Sequence, residues 1–111
     1  MRDDRERLAD IFEAITNIDK YAMRGRETFC QDELIQVWIR YHFQVIGEAA
    51  RGLSDHFKEE HSEIPWSEII ALRNMLIHHY FGIDPEVVWN IIINDLPLFK
   101  RQVEAILHHL T

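Results

Sequence analysis

One cysteine, three prolines and four glycines are all that this 111-residue sequence holds of the residues that staple or punctuate a chain. The lone thiol, Cys30, excludes an internal disulfide and gives no metal-ligand spacing, which fits a reducing compartment. No apolar run approaches the ~20 residues of a membrane-crossing helix. The start, Met1-Arg2-Asp3-Asp4-Arg5-Glu6-Arg7, has basic residues but no apolar stretch behind them. Neither a span nor a secretory leader is expected, and the expected place is cytoplasmic. Cationic residues are also scarce, 12 against 19 acidic, for a formal net charge of −7. A generic nucleic-acid binder is usually basic, so a nucleic-acid function here needs a local cationic site or a partner's help. Repeats, low-complexity tracts and linkers are missing too, which leaves one domain over residues 1–111. A domain this small buries only about two-thirds of its unfolded surface, and pairing with a second copy is a common way to complete the core.

What is present is helical periodicity. Asp3 or Asp4 can cap a first helix in which Leu8, Ile11, Phe12, Ile15, Ile18 and Ala22 recur at three-to-four spacing, with Gly25 as its stop. Thr28 and Gln31 form a T-x-x-Q capping box that predicts a second helix to about Gly52. Leu34, Ile35, Val37, Trp38, Ile39, Tyr41, Phe43, Val45 and Ile46 make that helix apolar nearly all round, so it must be covered on several sides. Near its end Gly47, Ala49 and Ala50 leave room for another helix to come close. Leu53 to Ile64 is polar and reads as a short helix plus loop. Pro65 suits the first turn of a third helix through Tyr80 or Phe81, with Gly82 as its C-cap candidate. Asp84-Pro85 opens the last helix, and Pro97 should kink it by removing the bond to the Ile93 carbonyl. The β-branched runs Val87-Val88 and Ile91-Ile92-Ile93 are outvoted by the helical continuation through Leu96, Phe99, Val103, Ile106 and Leu110. The expected fold is all-α: an up-and-down bundle of four to five helices.

The third helix carries the chemistry. At about 100° per residue, Arg73 falls at the centre of the apolar face, with Ile69 and Leu76 on one side and Trp66, Ile70 and Ile77 on the other. A guanidinium cannot shed its charge, and burying it unpaired costs several kcal/mol. Two readings stay open: a structural ion pair to a buried carboxylate such as Glu48, and an arginine facing a cleft to await an anion. They are compatible. Asn74 and His78 sit side by side four apart, and Tyr80, seven from Arg73, shares its face. Arg73 and His78 are about 140° apart, too far to grip one phosphate from one straight helix. Either the helix loosens near His78 or a second subunit completes the site; the over-apolar second helix favours the latter.

Those residue types suit RNA cleavage. RNA brings its own nucleophile, the 2′-OH; a base must take its proton, an acid must protonate the leaving 5′-oxygen, and a cation must hold the extra phosphorane charge. Histidine serves as base or acid near neutral pH, and arginine offers a two-pronged fork to phosphate oxygens. No metal and no cofactor is called for.

Arg73-Asn74-Met75-Leu76-Ile77-His78-His79-Tyr80 resembles the R-x4-H-x-Y motif of the HEPN superfamily. Its flanks, Ile64 to Leu72 and Phe81 to Asp84, and the stretch Ile46-Gly47-Glu48-Ala49-Ala50-Arg51, are similar to the HepT toxin branch. The resemblance implies a homodimeric helical bundle that cleaves RNA without metal, leaving a 2′,3′-cyclic phosphate. It implies Arg73 and His78 as the catalytic pair at the dimer interface, with Asn74 beside them. It further implies a cognate minimal nucleotidyltransferase as antitoxin, which transfers AMP from ATP onto Tyr80. The alternative is a non-catalytic module that binds substrate or nucleotide for a nucleotidyltransferase; the complete Arg-x4-His pair argues for the enzyme. The remaining histidines are expected outside the site: His42 packed, His56 and His61 solvated, His79 turned away, His108 and His109 at a polar helix end. Met75 and Trp89 are expected to be packing residues.

Overall fold

In the computed structural model the described residues are 3–78 and 82–110, and they form seven helices and no strand. These are α1 (Asp4–Ala22), α2 (Arg26–Gln31), α3 (Glu33–Gly52), α4 (Asp55–Glu60), α5 (Trp66–His78), α6 (Pro85–Asn94) and α7 (Leu96–Leu110). Four long rods, α1, α3, α5 and the α6–α7 pair, make up an all-helical bundle, with α2 and α4 as short links.

Each boundary has a local cause. Asp3 caps α1 by accepting from the Glu6 amide at 2.8 Å, satisfying one of the free N–H groups of the first turn. The helix stops at Ala22; Gly25 lies beyond it at φ +98°, a left-handed conformation that costs glycine little, and it starts α2. The capping box expected at Thr28 and Gln31 does not open the second rod. Thr28 lies inside α2, and the chain breaks at Asp32, whose carboxylate accepts from the Leu34 and Ile35 amides at 3.0 and 3.2 Å. One aspartate oxygen meeting two amides outbids a threonine that would have met one. Ser54 caps α4 in the same way. Pro65 stands just before α5, its carbonyl accepting from the Glu68 and Ile69 amides. Asp84 caps α6 with Pro85 at the first helical position, as the sequence predicts. The kink expected at Pro97 is a full break at Asp95, two residues earlier. Leu96 restarts the helix so that Pro97 falls in the first turn of α7, where a missing N–H costs nothing.

The core runs through the middle of the bundle. Leu8, Ile11, Ile15 and Ile18 of α1 are fully buried, and α3 adds Ile35, Ile39, Phe43, Ile46 and Ala50. α3 is the central rod, with α1 on one flank and α5 on the other, while α7 packs against α1. The Trp38 indole donates to the Asn17 carbonyl at 2.8 Å, and Lys100 reaches Asp19 at 2.7 Å. α3 is apolar nearly all round, but not covered all round. Leu34, Val37 and Tyr41 lie open on its outer side, Leu34 at 81% and Tyr41 at 59% exposure. No described helix is long and apolar enough to cross a membrane.

Candidate functional site

Arg73 emerges where α5 crosses α3. The crossing is close because Gly47 has no side chain: a methyl there would overlap the Cβ and Cγ of Arg73. The arginine stem lies over the glycine and its head continues past it to the outer side of α3. There Nη2 donates to the Glu48 carboxylate at 2.6 Å and Nη1 donates to the Asn74 side-chain oxygen at 3.0 Å. The Arg73 side chain is 18% exposed and that of Glu48 is 61% exposed. The ion pair expected from the wheel is therefore present, but at the rim of the protein rather than in its interior. The cleft reading stands beside it, because a carboxylate so open to water is one that a phosphate can displace. Arg73 Nε is buried and meets no hydrogen-bond partner. Such an N–H costs about 1–3 kcal/mol, a cost the fold bears to hold the guanidinium here.

Asn74 is exposed and steadies Arg73 from its own helix. His78 is also exposed and is the last described residue of α5. The helix is regular up to that residue, so Arg73 and His78 keep their divergence of about 140°. The helix does not loosen ahead of His78, and what directly follows His78 lies outside the described residues. Tyr80 and His79 lie outside the described residues.

The other histidines fall mostly where the sequence suggests. His42 is buried, with Nδ1 2.8 Å from the Trp38 carbonyl and its ring against Trp38 and Tyr41. His56 is exposed and pairs with Glu60, whereas His61 is half-buried with its ring on Phe57, not simply solvated. Trp89 is buried against Phe29 and Met75 is half-buried, in keeping with packing roles. His108 and His109 are exposed at the end of α7. Cys30 sits 3.6 Å from Glu86; burial and then the Glu86 charge push its thiol pKa up, which makes it a poor nucleophile.

The over-apolar character of α3 takes a definite form beside the site. Leu34, Val37, Tyr41 and Glu48 recur at three, four and seven residues, so the open apolar stripe of α3 runs directly to the carboxylate that holds Arg73. The spacing was legible; its exposure was not.

The family profile described as Ribonuclease HepT-like matches residues 11–106. A Thermococcus cleftensis protein named a probable ribonuclease HepT is 36% identical over 106 residues, 95% of this chain and 96% of its own length. A Methanocaldococcus jannaschii protein provisionally named an RNase is 34% identical over 106 residues, covering 95% of this chain and 97% of the relative. A provisionally named RNase of Caldanaerobacter subterraneus is 37% identical over 81 residues, 73% and 72% of the two chains. No solved structure matches the chain.

Proposed function

The chain belongs to the HepT-like ribonuclease family, and from that premise we propose that it is the toxin of a toxin–antitoxin pair, a metal-independent RNA endonuclease acting as a homodimer. The observation that carries the reading is Arg73: a guanidinium seated on Gly47, steadied by Asn74, and offered to the surface through an exposed carboxylate. Its fork takes the scissile phosphate in place of Glu48 and stabilises the charge of the phosphorane. His78 moves the proton, from the 2′-OH or to the 5′-oxygen.

A regular α5 turns His78 away from Arg73, so a complete site draws on a second copy across a two-fold axis. The open stripe Leu34–Val37–Tyr41 supplies the apolar surface on which that copy rests. Regulation is by a minimal nucleotidyltransferase antitoxin that joins AMP to Tyr80. The spacing of seven residues from Arg73 is the helical period that brings two positions to one face, where a phosphodiester would compete for the guanidinium and repel RNA. The same divergence of Arg73 and His78 is what supports the second reading, a non-catalytic nucleotide-binding subunit of a nucleotidyltransferase.

Cleavage of total RNA by the purified protein in EDTA separates the two. The expected result is cleavage with 2′,3′-cyclic phosphate ends, lost by about a hundredfold or more in Arg73→Ala and in His78→Ala with helicity and dimer retained. Absence of cleavage, or full activity in either variant, overturns the assignment. Light scattering that shows a monomer at micromolar concentration removes the shared site. Co-expression with the nucleotidyltransferase should add one or more AMP units, and Tyr80→Phe should block the addition.

A further inference from the structure

To one side of Arg73 on α5, a groove of about 310 Å³ runs between that helix and the α6–α7 break. Its floor is buried and apolar: Phe43 and Ile46 from α3, Leu96 and Phe99 from α7. Ile69 and Leu72 form one wall and Ile91 the other, and Leu98 stands at the edge 53% exposed. Two carboxylates face each other across it, Glu68 from α5 and Asp95 from the break. Both are exposed, neither is paired with any described residue, and among the described residues no cation lines the groove.

An apolar trough with an unpaired carboxylate on each bank is complementary to one kind of surface: an apolar stripe with a cation on each side. A basic amphipathic helix has that arrangement, with its apolar residues at i, i+3, i+4 and i+7 and Lys or Arg flanking them. We propose that this groove docks a basic amphipathic helix of a partner protein. A second copy of this chain is the poorer occupant, because its net charge is −7. The groove opens to one side of the face where Arg73 emerges, since Leu72 lines it while Arg73 lies about 100° round the helix. A docked helix thus leaves the guanidinium free, and the partner is held beside the site rather than over it. The docking itself does not depend on the nuclease reading.

The test uses the full-length protein and a labelled synthetic helix of about fourteen residues, with leucines on one face and lysines on the other. Fluorescence anisotropy should show saturable binding, weakened at least tenfold by Leu98→Asp and by the pair Glu68→Lys with Asp95→Lys. The charge-matched pair Glu13→Lys with Glu59→Lys, on exposed positions of α1 and α4, should change it less than twofold. Amide shifts in NMR spectra should cluster on α5 and the α6–α7 break. Equal weakening by both charge pairs would mean general attraction to an acidic protein and overturns the proposal, as does no binding. Self-association abolished by Leu98→Asp would assign the groove to a second copy, which also overturns it. Arg73→Ala should bind the peptide normally and Leu98→Asp should cleave RNA normally, so failure here and failure of the nuclease reading are separable.

Discussion

The two seams of the central helix are built on opposite plans. Between α1 and α3 the contact is mostly apolar and branched, with Leu8, Ile11, Ile15 and Ile18 fully buried against a helix rich in isoleucine. Between α3 and α5 the crossing is made on a glycine, and an arginine runs through it. The first seam spends its length on burial, which stabilises by roughly 25 cal/mol per Å² of apolar area. The second gives up side-chain contact at Gly47 and leaves Arg73 Nε bare, so it stabilises less. What it supplies is a cation held in place at the surface. One seam keeps the fold, and the other keeps a group whose chemistry the fold has no need of.

Substitutions can break that contrast. Ile15→Ala in the apolar seam should cost about 2–5 kcal/mol, read as a lower denaturant midpoint at unchanged slope, with residual activity per folded molecule intact. Gly47→Ala should cost about 1–3 kcal/mol, because the new methyl meets the Cβ and Cγ of Arg73, which cannot swing aside. Its activity should fall along with its stability. Gly52→Ala is the control on the same helix: the methyl there meets only the far end of the Arg7 side chain, which can move. Stability should change by no more than about 0.5 kcal/mol; a loss as large as at position 47 would sink the idea that a rigid arginine stem makes the difference.

Glu48→Gln sharpens the second seam. With the carboxylate gone and its shape kept, stability should move by less than about 1 kcal/mol, since the pair is at the surface. If Glu48 competes with phosphate, KM for RNA falls several-fold at constant kcat. If it only positions Arg73, kcat falls instead. A pH-dependent effect belongs to Asp4, which joins the start of α1 to Ser54 through bonds of 2.8 and 2.6 Å. Burial raises its pKa, but the Ser54 hydroxyl and amide, helped by Arg7 and His56, lower it further, for a net decrease below the ordinary value of 3.8. A carboxylate with a lowered folded pKa stabilises above its unfolded pKa, and that contribution vanishes as pH falls through the folded value. The stability gap between the parent and Asp4→Asn should therefore be present at neutral pH and close below about pH 4.

Much of the bundle was legible because helix caps and periodicity are local. Asp3 and the Asp84-Pro85 pair end up at the helix starts they predict, and the wheel puts Arg73 on the face that meets α3, with Glu48 as an example of a partner, though a buried one was expected. The errors lie where two local signals compete. Thr28 and Asp32 both offer caps within one turn, and only the three-dimensional path decides for Asp32. Pro97 announces an interruption without saying whether the chain bends through it or restarts ahead of it. The open stripe on α3 was beyond reach for another reason. Periodicity tells which residues share a face, whereas exposure depends on which neighbours arrive, and α1 and α5 leave that face bare. The carboxylates of the groove were invisible for the same reason, being 27 residues apart and on different helices.

The pairing of α7 with α1 sets an order of events for the newborn chain. Lys100 reaches back to Asp19, and the apolar stripe of α1 stays partly uncovered until α7 has been made. The neighbours α1, α3 and α5 can collapse early, since contacts close in sequence form fastest. The closing contact spans most of the chain and comes last, after the loop-closure entropy has been met. During synthesis the ribosome therefore carries a sticky half-bundle, and shortening α7 from its C-terminal end should lower yield by aggregation before it weakens anything at Arg73.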